Sequence, residues 1–426
     1  MKSRRAVLAG LGTVGAVGLT GCSALPFGDD GNDREDVTLP ADAVEPVSWP
    51  ESPFPVAVPG ALADTHRERA QELLAEVPAD PNVPNGAVAE ELRSDRERAA
   101  DRLGDAAEDP WPIERLSAWR SRREAAATVR GAYRAATGEG DAEAVTERRR
   151  TVRERLGSFV AASEYRASSP LEAALVYAAV EELVTDCRRY LRPDRPYPSD
   201  PVARPFEAGQ ALGQVERARA TLGDARRLED AYLAERSDAS SQWSALIDAS
   251  GRLRFAVART RSTVDGFLDV GEPPFEANLD GTAARTLFVE TSRQVSSTVQ
   301  SHEEYRDDGD YARAVIEAGQ AVAAVEALRT AIDGIRDGAY QGEVTVDSVT
   351  EAAARAREAI AAVEASEHRR LATHFLRPAL QTFEYLPRHI EEGYADAPRV
   401  QGDLARVELY ARAVPAATAF VAQRLE

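Results

Sequence analysis

The chain has 426 residues, enough for two or three domains, with a formal net charge of −19 at pH 7 and a sequence pI near 4.9. Such acidity argues against a nucleic-acid partner, which needs a basic surface. Two cysteines, Cys22 and Cys187, leave no room for a disulfide framework or a thiolate zinc site.

Lys2, Arg4 and Arg5 make a basic start, followed from Ala6 to Leu19 by an uncharged, glycine-rich run. That run is too short to cross a hydrocarbon core, which takes about 20 apolar residues in a helix. A basic start, a short apolar middle and small residues at the exit describe an export signal. Ser3-Arg4-Arg5-Ala6-Val7-Leu8 resembles the twin-arginine export motif, and Leu19-Thr20-Gly21-Cys22 resembles the lipobox of prokaryotic lipoproteins. The resemblance covers only residues 1–22. It implies that Arg4 and Arg5 are the receptor-read pair and that the protein folds before export. It also implies cleavage after residue 21 and a lipid on the Cys22 sulfur, since a thiolate is the nucleophile that accepts acyl or alkyl groups. The expected location is therefore the extracytoplasmic face of the cell membrane, lipid-anchored, with the membrane as a partner through Cys22. Loss of the signal removes Lys2, the only lysine, along with Arg4 and Arg5. An acidic, lysine-free body rich in Ala and Arg resembles the proteins of halophiles, in which high salt screens the repulsion between dense carboxylates.

Residues 22–60 read as a lipid-anchored flexible tether, polar at first and then rich in proline; Trp49, Phe54 and Val56 are the residues suited to docking its later part. From Ala61 on, Ala, Glu, Arg and Leu dominate, the residues that lose least in a helix. The pattern predicts helices near 61–77, 86–107, 112–137, 140–167, 170–192, 203–236, 239–270, 279–307, 309–337, 346–392 and 399–425. The only short strand candidate is Glu343-Val344-Thr345-Val346. The fold class is all-α: long antiparallel helices in one or two bundles. A proline-rich segment, 193–205, divides an N-terminal helical subdomain (61–192) from a C-terminal one (206–426), or else forms one long loop inside a single bundle. A weaker break falls at Gly271-Glu272-Pro273-Pro274.

No catalytic set and no cofactor motif emerges. His-Glu-x-x-His, the Walker phosphate loop and the Gly-x-Ser-x-Gly elbow are all absent. Cys187 falls among apolar positions and reads as a small buried hydrophobe. His302-Glu303-Glu304 reads as a solvated face, and Arg148-Arg149-Arg150, with Arg153 and Arg155, alternating with Glu147 and Glu154, as an ion-paired helix surface. Ile360, Val363, Glu367, Leu371 and His374 share one helical stripe, so Glu367 and His374, with His389 as a further member, are the weak candidates for a metal or small-ligand site. The balance leans against an enzyme. The leading expectation is a scaffold or interaction module that meets another envelope or exported protein, and the alternative is a ligand-binding bundle around Glu367 and His374.

Overall fold

In a computed structural model, residues 37–426 are described apart from 108, 193–195, 269–272 and 395. The signal, the twin arginines Arg4 and Arg5, the lipobox Leu19-Thr20-Gly21-Cys22, Gly271 and Glu272 lie outside the described residues. The described chain is all-α. Its helices are α1 (Ala61–Ala75), α2 (Gly86–Gly104), α3 (Pro112–Ala136), α4 (Ala142–Ala162), α5 (Pro170–Leu191) and α6 (Pro205–Ala234). They continue as α7 (Trp243–Ser262), α8 (Ala283–Asp308), α9 (Tyr311–Arg336), α10 (Val346–Ala362), α11 (Arg369–Glu391) and α12 (Ala397–Leu425). No helix among the described residues is long and apolar enough to cross a membrane.

The helix boundaries follow local chemistry. The side chains of Asn85, Asp141, Ser169, Thr345 and Asp396 accept hydrogen bonds from the first free backbone N–H groups of their helices. Prolines open α3, α5 and α6, where a missing N–H costs nothing. Gly309, at φ 82°, closes α8 in the left-handed conformation and lets the chain fold back into α9.

Three expectations are corrected. The run 346–392 is not one helix: α10 ends at Ala362, a 3-10 turn tucks Val363 into the core, and Ser366 is extended before α11 begins. The supposed strand at 343–346 instead caps α10 through Thr345. The short strands among the described residues are β1 (Arg166–Ala167) and β2 (Ser240–Ser241), which pair antiparallel where helix was expected, and Tyr165 at φ 51° turns the chain from α4 into β1.

From Val37 to Glu426 the chain forms one compact unit. The later part of the expected tether is packed within it. Val44, Phe54 and Val56 belong to the main core, Trp111 Nε1 donates to the Pro50 carbonyl at 2.9 Å, and Trp49 meets Trp111 edge-on at 4.9 Å. Within the unit α9 is apolar on almost every side and packs against α5, α7, α8, α11 and α12, which makes it the central rod. Its N-terminus is held from outside the helix: the Glu181 carboxylate on α5 accepts from the backbone N–H groups of Ala312 and Arg313 at 3.1 and 2.7 Å. Helices α5 and α6, which flank the proline-rich segment, pack directly against each other.

Helices α3 and α6 approach each other closely. A Cβ on Gly209 would strike the Thr128 carbonyl oxygen and the side chain of Ala132, so glycine there lets the two backbones meet. Gly223, on the same helix, has open space around it. Gly209→Ala is expected to cost about 1–3 kcal/mol by overpacking, whereas Gly223→Ala gains up to about 1 kcal/mol in helix propensity. Urea midpoints of both variants at one salt concentration check this.

Candidate functional site

On α3, Leu116, Arg120, Arg123 and Ala127 are spaced along one stripe, and all four are buried. Two guanidiniums thus sit where apolar residues belong, and each has its counter-charge on another helix. Arg120 Nη1 donates to Asp224 Oδ2 of α6 at 2.7 Å. His66 of α1 donates through Nε2 to the same carboxylate at 2.9 Å, and its Nδ1 lies 3.3 Å from Arg123 Nη1. A guanidinium can only donate, so Nδ1 accepts and Nε2 carries the proton. Arg123 also donates through Nε to Glu216 Oε1 at 2.9 Å. The result is a buried chain, Arg120–Asp224–His66–Arg123–Glu216, that ties α1, α3 and α6 together.

Arg120 lines a cavity of about 460 Å³ between the docked N-terminal segment and α3, α5 and α11. A second cavity of about 240 Å³ lies beside α9 and α11. The two share a wall made by Glu182, His374, Arg377 and Gln381. Trp49, Phe54 and Trp111 supply aromatic surface to the larger one. Arg377 bridges Glu114 at 2.9 Å and Glu182 at 3.6 Å. Burial pushes the Glu114 carboxyl above the usual range, and Arg377 offsets part of that.

His374 belongs to the shared wall. Its Nδ1 is buried without a hydrogen-bond partner among the described residues. Burial, reinforced by the Arg377 charge, lowers its pKa to about 4, so the ring is neutral at ordinary pH. Glu317, lining the second cavity, is pushed up to about 7 by burial, against the pull of Arg313 and Arg377. A neutral imidazole with an unused nitrogen, a carboxyl poised near neutrality and a fixed guanidinium can take up a polar ligand by hydrogen bonding, while the indole and phenyl faces cover its apolar part.

The sequence candidates divide. His374 lines both cavities, but Glu367 lies exposed in the turn between α10 and α11, away from the buried stripe. The break at Val363–Ala365 removes the helical register that had placed the two together. His389 is about 22 Å further along α11 at 1.5 Å per residue, and stacks on Tyr385 with ring centroids 5.9 Å apart. No group of three or more His, Cys, Asp or Glu side chains among the described residues is placed to hold a metal ion. His302 is buried rather than solvated, with Nδ1 at 2.7 Å from the Ala314 carbonyl on α9. Cys187 is buried, its thiol pushed up to about 12 by burial and its Sγ 3.3 Å from the Ala218 carbonyl. Sequence reasoning missed His66, Arg120, Arg123, Glu216 and Asp224. The available signal was two arginines interrupting the apolar stripe of α3.

Fold and site define an all-α protein with a polar, aromatic-walled cleft between its helices. Residues 61–238 match the family model of a domain of unknown function, DUF8262, and residues 243–423 match that of another, DUF8264. The two matches meet at β2, within the one compact unit. No curated protein and no solved structure matches the chain.

Glu317 carries a pH signature. Its folded pKa is raised, so between about 4.5 and 7 the folded state holds a proton that the unfolded chain releases, and stability falls as pH rises through that window. Glu317→Gln removes this slope. Relative to the parent, the variant is expected to gain on the order of 2 kcal/mol between pH 5 and pH 8, read from urea unfolding at constant salt. A difference that does not change with pH contradicts the assignment.

Proposed function

We propose that this chain is a lipid-anchored, extracytoplasmic binding protein of the cell envelope, held to the membrane through Cys22, whose helical body takes a small polar ligand in the cleft around His374. The anchoring rests on the order of basic start, apolar run and Leu19-Thr20-Gly21-Cys22. The binding role rests on one observation above others: Glu182, His374, Arg377 and Gln381 together form a polar wall shared by two cavities. A polar ligand that fills this wall meets Arg377 and Gln381 beside the ring.

A second reading, a module that docks another envelope or exported protein, draws support from Tyr385 and Tyr394. They are 58% and 71% exposed, they flank His389, and Tyr385 also lines the larger cavity. Aromatic side chains at the rim of a cleft are what protein interfaces favour.

Two measurements test these readings. Cys22→Ser is expected to move the protein from the membrane fraction to the soluble fraction, or to leave an uncleaved precursor; if it sediments with membranes as the parent does, the lipid anchor is refuted. Native mass spectrometry of protein purified from its own cells is expected to show a small molecule retained by the parent and lost from His374→Phe, which keeps the ring volume without the nitrogens. Identical spectra for the two would remove the ligand-binding reading and leave the docking one.

A further inference from the structure

A cavity of about 340 Å³ opens between α1, α3, α4 and α6, on a different face from the His374 cleft. Five arginines line it, Arg69, Arg130, Arg148, Arg155 and Arg219, against two carboxylates, Glu147 and Glu216. Both carboxylates are already engaged. Glu147 binds Arg150, outside the cavity, at 2.7 Å. Glu216 is divided among three guanidiniums: Arg123 at 2.9 Å, Arg69 at 3.6 Å and Arg219 at 3.9 Å. Arg130 turns to Glu76 at 2.5 Å. Arg148 and Arg155 have no ion pair among the described residues, in a chain whose net charge is −19 and whose arginines are elsewhere mostly paired. Beside them on α4, Arg149 keeps Nε and Nη2 buried and unpartnered. Beneath the arginines lies an apolar floor that includes Leu73, Val152 and Val215, all buried.

Uncompensated positive charge over a hydrocarbon floor selects for one kind of ligand. A bare inorganic anion would gain the guanidiniums but leave the floor wet; an uncharged hydrocarbon would fill the floor but leave Arg148 and Arg155 unused. We propose that this cavity binds an anionic amphiphile, a carboxylate or phosphate monoester carrying a short hydrocarbon chain, with its head between Arg148 and Arg155 and its chain on the floor formed by Leu73, Val152 and Val215. The cavity, about 340 Å³, has room for a short alkyl chain. The head chemistry is common to free amphiphiles and membrane lipids, and the test separates them.

The test uses the full chain with Cys22→Ser, so that no attached lipid competes, and decanoate below its micellar concentration. Isothermal titration calorimetry is expected to show saturable decanoate binding at least tenfold tighter than that of decanol or of inorganic phosphate. Arg148→Ala/Arg155→Ala, two exposed positions on α4, is expected to weaken decanoate at least tenfold while the circular dichroism spectrum stays unchanged. Val215→Ala, a floor change that adds no charge, should weaken decanoate and leave any phosphate binding alone. The proposal is overturned by the absence of saturable decanoate binding, by decanol or phosphate matching decanoate, or by a double arginine variant that keeps the parent affinity. Flotation of the protein with anionic phospholipid vesicles, dependent on Arg148 and Arg155 but without decanoate binding, would assign these arginines to a membrane surface and also overturn the cavity site.

Discussion

Five side chains from three helices have to meet for the N-terminal half to pack: Arg120 and Arg123 on α3, Asp224 and Glu216 on α6, and His66 on α1. Taken as two guanidiniums, two carboxylates and a neutral imidazole, the chain carries no net charge. A buried set of this kind adds little net stability over well-packed apolar residues, because desolvation offsets most of the Coulomb gain. Its effect lies in the penalty for alternatives. If α1 or α6 shifts by a turn, at least one charge is left buried and unpaired, and breaking such a pair costs about 3–5 kcal/mol. Glycines at the α3–α6 contact let the backbones come close enough for these side chains to reach one another.

The two clefts lie at opposite ends of this chain of charges. Arg120 lines the His374 cleft, and Glu216 lines the arginine cavity. The same residues that fix the helices therefore also supply wall charges, Arg120 positive in one cavity and Glu216 negative in the other. In the first, acidic residues around Arg377 and His374 hold a mixed polar surface against aromatic walls. In the second, Arg69 and Arg219 share Glu216 with the buried Arg123 outside the cavity, so one carboxylate does not neutralise the face.

Much of the fold was legible because helix formation is local. Ala, Leu, Glu and Arg runs, Pro112, Pro170 and Pro205 at helix starts, and the left-handed Gly309 all act within a turn of where they stand. The errors came where distant packing decides. Neither Gly nor Pro marks the break between α10 and α11, since Val363 is drawn into the core by its surroundings, and a periodic stripe continues across a bend that it cannot register. Glu367 was lost to the candidate site for that reason. His302 looked solvated beside Glu303 and Glu304 because its partner, the Ala314 carbonyl, belongs to the next helix. Arg148 and Arg155 looked ion-paired because acidic residues alternate with them in sequence, yet on the helix only Arg150 takes both Glu147 and Glu154.

Lysine is absent after Lys2, and the geometry shows what arginine provides in its place. A guanidinium holds its charge when buried and presents several donors in a rigid plane. Arg123 uses this to reach Glu216 while one of its nitrogens faces His66. Arg217, also buried, reaches Ser121 and Ser117 together and lies 5.3 Å from the Tyr190 ring. A lysine ammonium is a single point charge that deprotonates readily under the same burial. It could meet one partner of Arg123 but not both, and the chain from Asp224 to Glu216 would be cut at α3. The residue that lets an acidic chain keep positive charge inside its helices is thus the same one that leaves Arg148 and Arg155 charged on its surface.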